Sequence, residues 1–339
     1  MKNVKSISLA LQGGGSHGAF TWGVLETFLR DERLKIEGIS GTSAGAMNAA
    51  VLADGITRDG REGALAALER FWRSIAKMGR FGPFTRSPMD ALFSQWNLEH
   101  TPGYALFDTV SRYLSPYQFN PLNFNPLMDL LEREVDFERV RQCDKIKLFI
   151  AATSVNSGRI RVFHNEELSA KAVMASACLP HLFQAIEIDG ECYWDGGYMG
   201  NPAIFPLIYD CKCRDVIIVQ VNAIARDTTP TTSPEILDRL NEITFNSTLL
   251  RELRAIDFVS KLLDRHELDE SKYKRMLIHR VDAAEEMLHL NVSSKVNAEW
   301  QFIDYLRRLG NAQAEAWLAE NFDALGERST IDLVPMVEQ

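Results

Sequence analysis

Residues Leu34 to Ala53 read LKIEGISGTSAGAMNAAVLA, and the fold turns on them. Leu34 to Ile39 is a short apolar run of β character. Gly41-Thr42-Ser43-Ala44-Gly45 breaks it, and a run of small residues with helical character follows from Ser43 to Ala53. A strand that ends in a glycine turn and opens a helix is half of a parallel α/β unit. The same order occurs just upstream. Ile7 to Leu11 reads as a strand, Gly13-Gly14-Gly15 interrupts it, and Ala19 to Leu29 carries Phe20, Val24, Leu25 and Phe28 at helical spacing.

Further along, Gly63 to Lys77 is an amphipathic helix. Residues 80–128 change texture: Phe81, Phe84, Phe93, Trp96, Tyr104, Phe107, Tyr113, Tyr117, Phe119 and Phe124 are interspersed with Pro116, Pro121 and Pro126. This insertion is expected over one side of the sheet, as an aromatic satellite core or as a lid or acyl-chain groove. Residues 125–141 read helical, with Asn125 capping before Pro126. Lys147 to Val155 and Arg159 to Phe163 are strands, and a short helix covers Leu168 to Ala177. Ala185 to Ile188 and Cys192 to Trp194 are strands again, and Asp215 to Val221 is expected to be a central one. From Ser233 to His266 the pattern is helical. A last strand is expected at Met276 to Val281, then helices at Lys295 to Leu309 and Ala312 to Asn321. The implied architecture is three-layer α/β/α, with a mainly parallel central sheet, the aromatic-rich insertion and a helical C-terminal extension.

The chain has 339 residues, 46% of them apolar and 24% charged, and a formal net charge of -9. An acidic protein repels phosphate backbones, which excludes nucleic acid as a partner. Any membrane contact must come from local apolar or basic patches, because no window approaches the apolar length of a bilayer span. The opening MKNVKSISLALQGGG is read as a first strand and not a leader, since its apolar run is short and enters the glycine triplet directly. The expected location is cytoplasmic, with peripheral membrane contact. Five cysteines (Cys143, Cys178, Cys192, Cys211 and Cys213) form no C-x-x-C pair and are expected to be free thiols. His100, His164, His181, His266, His279 and His289 show no metal spacing, so neither metal nor cofactor is expected.

Gly41-Thr42-Ser43-Ala44-Gly45 fits G-x-S-x-G. A serine on a sharp strand-to-helix turn needs small neighbours on both sides, so that its hydroxyl projects freely. Gly14-Gly15-Ser16-His17-Gly18 fits the same pattern and also follows a strand, so Ser16 competes with Ser43 for the nucleophile role. Two features favour Ser43. The triplet Gly13-Gly14-Gly15 is suited to present backbone N–H groups to an oxyanion. The small residues after Ser43 let its helix approach the sheet closely. His266, His279 and His289 all follow Asp195, so a Ser…Asp…His order is formally available. His17 and His181 are further candidates to line a site.

These blocks resemble the patatin-like phospholipase family. Gly13 to Gly18 is similar to its glycine-rich oxyanion loop and Gly41 to Gly45 to its nucleophile elbow. Ala175-Ser176-Ala177-Cys178-Leu179-Pro180 is similar to its Ala-Ser…Pro segment, and Asp195-Gly196-Gly197 to the motif carrying its second catalytic residue. The resemblance covers about residues 5 to 210. It implies a Ser43–Asp195 dyad that hydrolyses acyl esters of lipids, with an oxyanion hole at Gly13, Gly14, Gly15 and Ala44. It also implies residues 1–225 as a catalytic domain and 226–339 as an extension packed on it. An acyl-CoA or acyl-carrier thioesterase or acyltransferase is the alternative enzyme, and a catalytically silent lipid-binding protein the alternative outside enzymes. The family usually carries Arg or Lys where this chain has His17, and histidine is only partly protonated near neutral pH. An aspartate with an ordinary pKa of about 3.9 is also a weak base for a hydroxyl.

Overall fold

The computed structural model describes residues 4–80, 82, 84–86 and 96–333. Phe81 and Phe93 of the aromatic insertion lie outside the described residues. One eight-stranded sheet runs through the molecule. Its strands are β1 (Lys5–Leu11), β2 (Leu34–Gly41), β3 (Lys147–Ser154), β4 (Ile160–His164), β5 (Ile186–Ile188), β6 (Glu191–Asp195), β7 (Asp215–Val219) and β8 (Leu277–Val281). The order is β5-β6-β3-β2-β1-β7-β8, with β4 also on β3. β3, β2, β1, β7 and β8 are mutually parallel, β4 and β6 pair antiparallel to β3, and β5 pairs antiparallel to β6. The main helices are α1 (Gly18–Arg30), α2 (Ala44–Gly79), α3 (Pro102–Tyr113), α4 (Pro126–Glu134), α5 (Ala170–Ser176), α6 (Phe205–Asp210), α7 (Ser233–Asp264) and α8 (Trp300–Asn321).

Alternation along the strands divides the core. Ile7, Leu9 and Leu11 of β1 and Ile217 and Val219 of β7 face a cluster with α1, α2, α4, α5 and α8. Ala10, Val216 and Ile218 point the other way, onto α6 and α7. Strands covered on both faces read as continuous apolar runs, because neither side meets water. The result is the expected three-layer α/β/α arrangement with a mainly parallel sheet.

Several boundaries differ from the sequence reading. The helices expected from Ser43 and from Gly63 run end to end as α2, kinked where Asp59 and Gly60 leave helical geometry. The helix over 125–141 breaks at Val135, where the Asp136 carboxylate caps a second short helix, Phe137–Arg141. β7 lies between β1 and the terminal strand β8, next to the edge of the sheet and not at its centre. The last two helices are one: α8 continues through Gly310, which is buried against α1. Lys295 precedes α8, in a 3-10 turn at Val292–Val296. Among the described residues, the insertion reaches the core through α8, which covers one face of the sheet. Trp96 stacks on Phe302 and Tyr305, with ring centroids 5.2 and 5.8 Å away. Phe84 meets Tyr104 and Phe107 edge-on.

β3 is the pivot that assembles the site. Gly41 pairs with Ile150 of β3, and Asp195 pairs with Ala152. β4 pairs with Phe149 through Thr153 on the opposite edge. β2 and β6 therefore share one edge of β3: where β2 leaves at Gly41 to form a turn, β6 arrives with Asp195 two residues further on. Two residues of strand span only about 6.6 Å.

Candidate active site

The turn after β2 is built to hold one serine in an uncommon conformation. Ser43 has φ 54° and ψ −121°, which for a residue with a side chain costs about 1–3 kcal/mol. Its surroundings impose the geometry. Ser43 N–H donates to Ser176 Oγ at 2.9 Å. Thr42 N–H donates to the Leu11 carbonyl, and Thr42 Oγ1 donates to the Gly200 carbonyl at 2.6 Å. Met47 N–H returns to the Ser43 carbonyl at 3.1 Å, closing the first turn of α2. Gly45 is required because a Cβ there would enter the Leu11 backbone. Ser43 is half-buried at the N-terminal end of α2, where the helix dipole favours negative charge.

Asp195 closes β6 and is 1% exposed. Its backbone is fixed by Asp195 N–H to the Cys178 carbonyl and by Thr153 Oγ1 to its own carbonyl, both at 2.8 Å. Gly197 N–H donates to Oδ1 at 2.7 Å, and the Ser43 hydroxyl lies close enough to favour the charged carboxylate. Burial pushes this carboxyl up to about 7, against the opposing pull of Gly197, Ser43 and the Lys295 ammonium. Desolvation thus makes Asp195 a stronger base than an ordinary aspartate. Gly196 and Gly197 fit because the turn is crowded, by the Ala151 backbone at one and by Phe245 of α7 at the other.

The glycine loop after β1 sits beside the elbow. Gly13 N–H donates to Asn201 Oδ1 at 2.7 Å, and its carbonyl accepts from Asn222 Nδ2 at 2.8 Å. Gly13 thus anchors the loop and, contrary to the sequence expectation, has no free N–H to offer an oxyanion. Gly14, Gly15 and Ala44 keep theirs: no acceptor engages those N–H groups among the described residues. Gly15 has φ 57°, and a Cβ there would collide with the Lys295 carbonyl. Gln12 ties the loop down through two donors, to Asn201 O at 3.1 Å and Asn246 Oδ1 at 3.0 Å. Its Oε1 accepts from the N–H groups of Val221 and Asn222.

His17 departs from its expected character. It is buried, its Nε2 lies 2.7 Å from Ser294 Oγ, and its ring meets Phe302 edge-on. Burial first, then Lys295 and His289, hold its pKa well below the ordinary value. His17 is a neutral packing residue behind the loop and not a part-time cation. His181 is exposed on the turn after α5. His279 is committed elsewhere, with Nε2 3.0 Å from Asp215 Oδ1 and Nδ1 3.1 Å from Thr330 Oγ1. Among the described residues no histidine bonds Asp195. Cys178 is not a rival nucleophile, since burial and the Asp195 charge push its thiol up to about 12. All five cysteines are free, and no metal-binding cluster occurs among the described residues.

Sequence reasoning missed the residues that hold these parts in place. Ser176 stands inside a block it had noticed, and Gln12 adjoins the glycine triplet. Asn201, Asn222 and Lys295 carry no local signal, because their work depends on neighbours far away in the chain.

An α/β sheet that presents a strained serine on a strand-to-helix turn, beside a buried carboxylate, defines a class of acyl-transfer scaffolds. The patatin-like phospholipase family model matches residues 9–208. The chain belongs to that family, one of lipid hydrolases. No curated protein matches the sequence. Among solved structures, VipD from Legionella pneumophila is similar at 15% identity and a TM-score of 0.38, over 91% of this chain and 67% of that one. Full-length ExoU from Pseudomonas aeruginosa, in complex with SpcU, is similar at 15% identity and a TM-score of 0.33. That match spans 93% of this chain and 52% of the other.

Proposed function

We propose that this protein is a lipid acyl-ester hydrolase working through Ser43 and Asp195. The observation that carries the proposal is the Ser43 hydroxyl, on a backbone held at positive φ, facing a buried carboxylate whose pKa is about 7. A base with a pKa near the working pH combines availability with proton-accepting strength. Asp195 takes the hydroxyl proton as Ser43 Oγ attacks the acyl carbonyl. The N–H groups of Gly14, Gly15 and Ala44 hold the oxyanion. The alcohol leaves with the proton from Asp195, and the acyl group stays on Ser43. Water then gives a proton to Asp195 and attacks the acyl-enzyme, and Asp195 returns that proton to Ser43 Oγ as the fatty acid leaves. Removing one donor from such a hole raises the barrier by about 2.7–4 kcal/mol.

The proposed meeting with lipid uses apolar side chains on the insertion: Tyr113, Leu122 and Phe124 are 82%, 91% and 68% exposed. The segment carrying them is bonded beside the Asp195 side of the molecule, through Gln184 Nε2 to the Asn120 carbonyl and Ala185 N–H to Tyr117 Oη. No described helix is long and apolar enough to cross a membrane, so contact would be peripheral. A fluorophosphonate probe and turnover of a lipid extract by wild type against Ser43→Ala test the reading. Labelling and fatty-acid release should both disappear in the variant. Release that persists would sink the assignment.

A further inference from the structure

We propose that Lys295, carried in by the C-terminal segment, is a positioning residue of this site, which ties down the glycine loop and supplies a positive charge to Asp195. The inference rests on the hydrolase reading above. Lys295 Nζ donates to Asn222 Oδ1 at 2.8 Å. The same Asn222 side chain donates to the Gly13 carbonyl and, at 3.3 Å, to Gln12 Oε1. The chain Lys295–Asn222–Gly13–Asn201 thus spans the loop from behind. The Lys295 carbonyl lies where a Cβ on Gly15 would stand, so the backbone of the C-terminal segment shapes the same loop. On its other side Nζ is 5.8 Å from the centroid of Phe245, whose ring covers Gly197 next to Asp195. One residue therefore touches the supports of both halves of the site.

Its charge is not spent on an ion pair. Nζ bonds a neutral amide and forms no salt bridge among the described residues. The polar cavity behind the loop, lined by His17, Asn222, Arg226, Asp238, Glu242 and Lys295, holds the groups that surround it. Burial lowers the ammonium pKa, while Glu242, Asp238 and Asp195 raise it and Arg226 lowers it further. Glu242 is engaged by Arg226 and Arg239. His17 is neutral, and His289 stands near it. Around Asp195, Cys178 and Tyr198 are both pushed up to about 12 and stay uncharged. Among the described residues, Lys295 is the charged side chain that acts on Asp195. A buried carboxylate that must ionise to work needs such a partner, or it stays protonated.

The test measures kcat/KM against pH for a neutral p-nitrophenyl acyl ester, on full-length protein checked by thermal melting. Lys295→Met removes tether and charge, Lys295→Gln keeps a donor for Asn222 without the charge, and Lys295→Arg keeps the charge. An opposite charge lowers a carboxyl pKa, so its loss should move the acid limb upward, by about one pH unit. Both Lys295→Met and Lys295→Gln should show that shift, which by itself reduces kcat/KM at pH 7 about fivefold, and Lys295→Met should lose more through the missing tether. Lys295→Arg should keep the wild-type limb. If Lys295→Met does not melt cooperatively, the Gln and Arg variants carry the same comparison. A Gln limb that stays at wild type, or an Arg variant as impaired as Gln with the same limb, overturns the proposal. Ser43→Ala and Asp195→Asn run alongside separate this from a failure of the hydrolase reading. Turnover surviving in those would discard the site itself, whereas their silence with unchanged Lys295 variants discards only the role of Lys295.

Discussion

Two stretches of this chain, Gly14 to Gly18 and Gly41 to Gly45, spell the same five-residue pattern and fold into opposite devices. In the first, the positive φ falls on Gly15, at 57°, and Ser16 is buried within a 3-10 turn. In the second it falls on the serine, at 54°, and Ser43 is half-buried and faces Asp195. When glycine takes the left-handed conformation, the turn presents backbone N–H groups. When serine takes it, the turn projects a hydroxyl. A pattern of residue types does not say which member bends, and the function follows from that choice.

The sharpest way to break this contrast is Ser43→Ala. It should reduce ester turnover by about 10⁴-fold or more, as removal of a nucleophile does in serine hydrolases, with the fold intact by circular dichroism. Retained turnover would mean the two copies have been assigned the wrong way round.

Asp195→Asn should cost nearly as much, about 10³–10⁴-fold, while making the protein more stable in alkali. Burial raises the Asp195 pKa from 3.8 to about 7 in the folded state. The folded protein therefore holds this proton longer than the unfolded chain. The associated stability is fully present below about pH 4 and is lost as pH rises to about 7. Asparagine escapes that loss, so at pH 8 the variant should be stabilised by up to about 4 kcal/mol, three pKa units at 1.36 kcal/mol each. A melting midpoint below wild type at pH 8 would contradict the buried-carboxylate account.

Gly15→Ala tests the other copy. Its Cβ would strike the Lys295 carbonyl and its φ would be strained, so the loop must shift. Loss of one oxyanion donor predicts about a 10²–10³-fold fall in kcat. An alanine variant with full activity would remove the loop from the mechanism.

The pH profile gives a smaller effect per step. Wild-type kcat/KM should rise about tenfold per pH unit below about 7 and then level, as Asp195 becomes a carboxylate. A plateau already reached at pH 5 would show an aspartate of ordinary basicity. Ser16→Ala should do least, changing turnover by less than about threefold, because Ser16 is buried and is not among the groups acting on Asp195. A loss comparable to that of Ser43→Ala would erase the difference between the copies.

Much of this was legible in the sequence. The runs Ile7 to Leu11, Leu34 to Ile39 and Lys147 to Val155 became β1, β2 and β3, since strands buried on both faces are apolar throughout. Family membership was legible from four ordered blocks. Three things were not. Nothing local shows that β2 and β6 share one edge of β3, the pairing that brings Gly41 and Asp195 within two residues of each other. The protonation of His17 and Asp195 was not legible either, because a pKa depends on burial and on charges distant in the chain. Nor was Lys295, which reaches the loop only after the chain has passed through β8 and returned. Residue type and spacing determined which elements form and which side chains could do chemistry. The tertiary structure decided which serine bends, which amides stay free and how basic the aspartate is. Those properties belong to the sum of contacts around an atom, and that sum exists only once the sheet has closed.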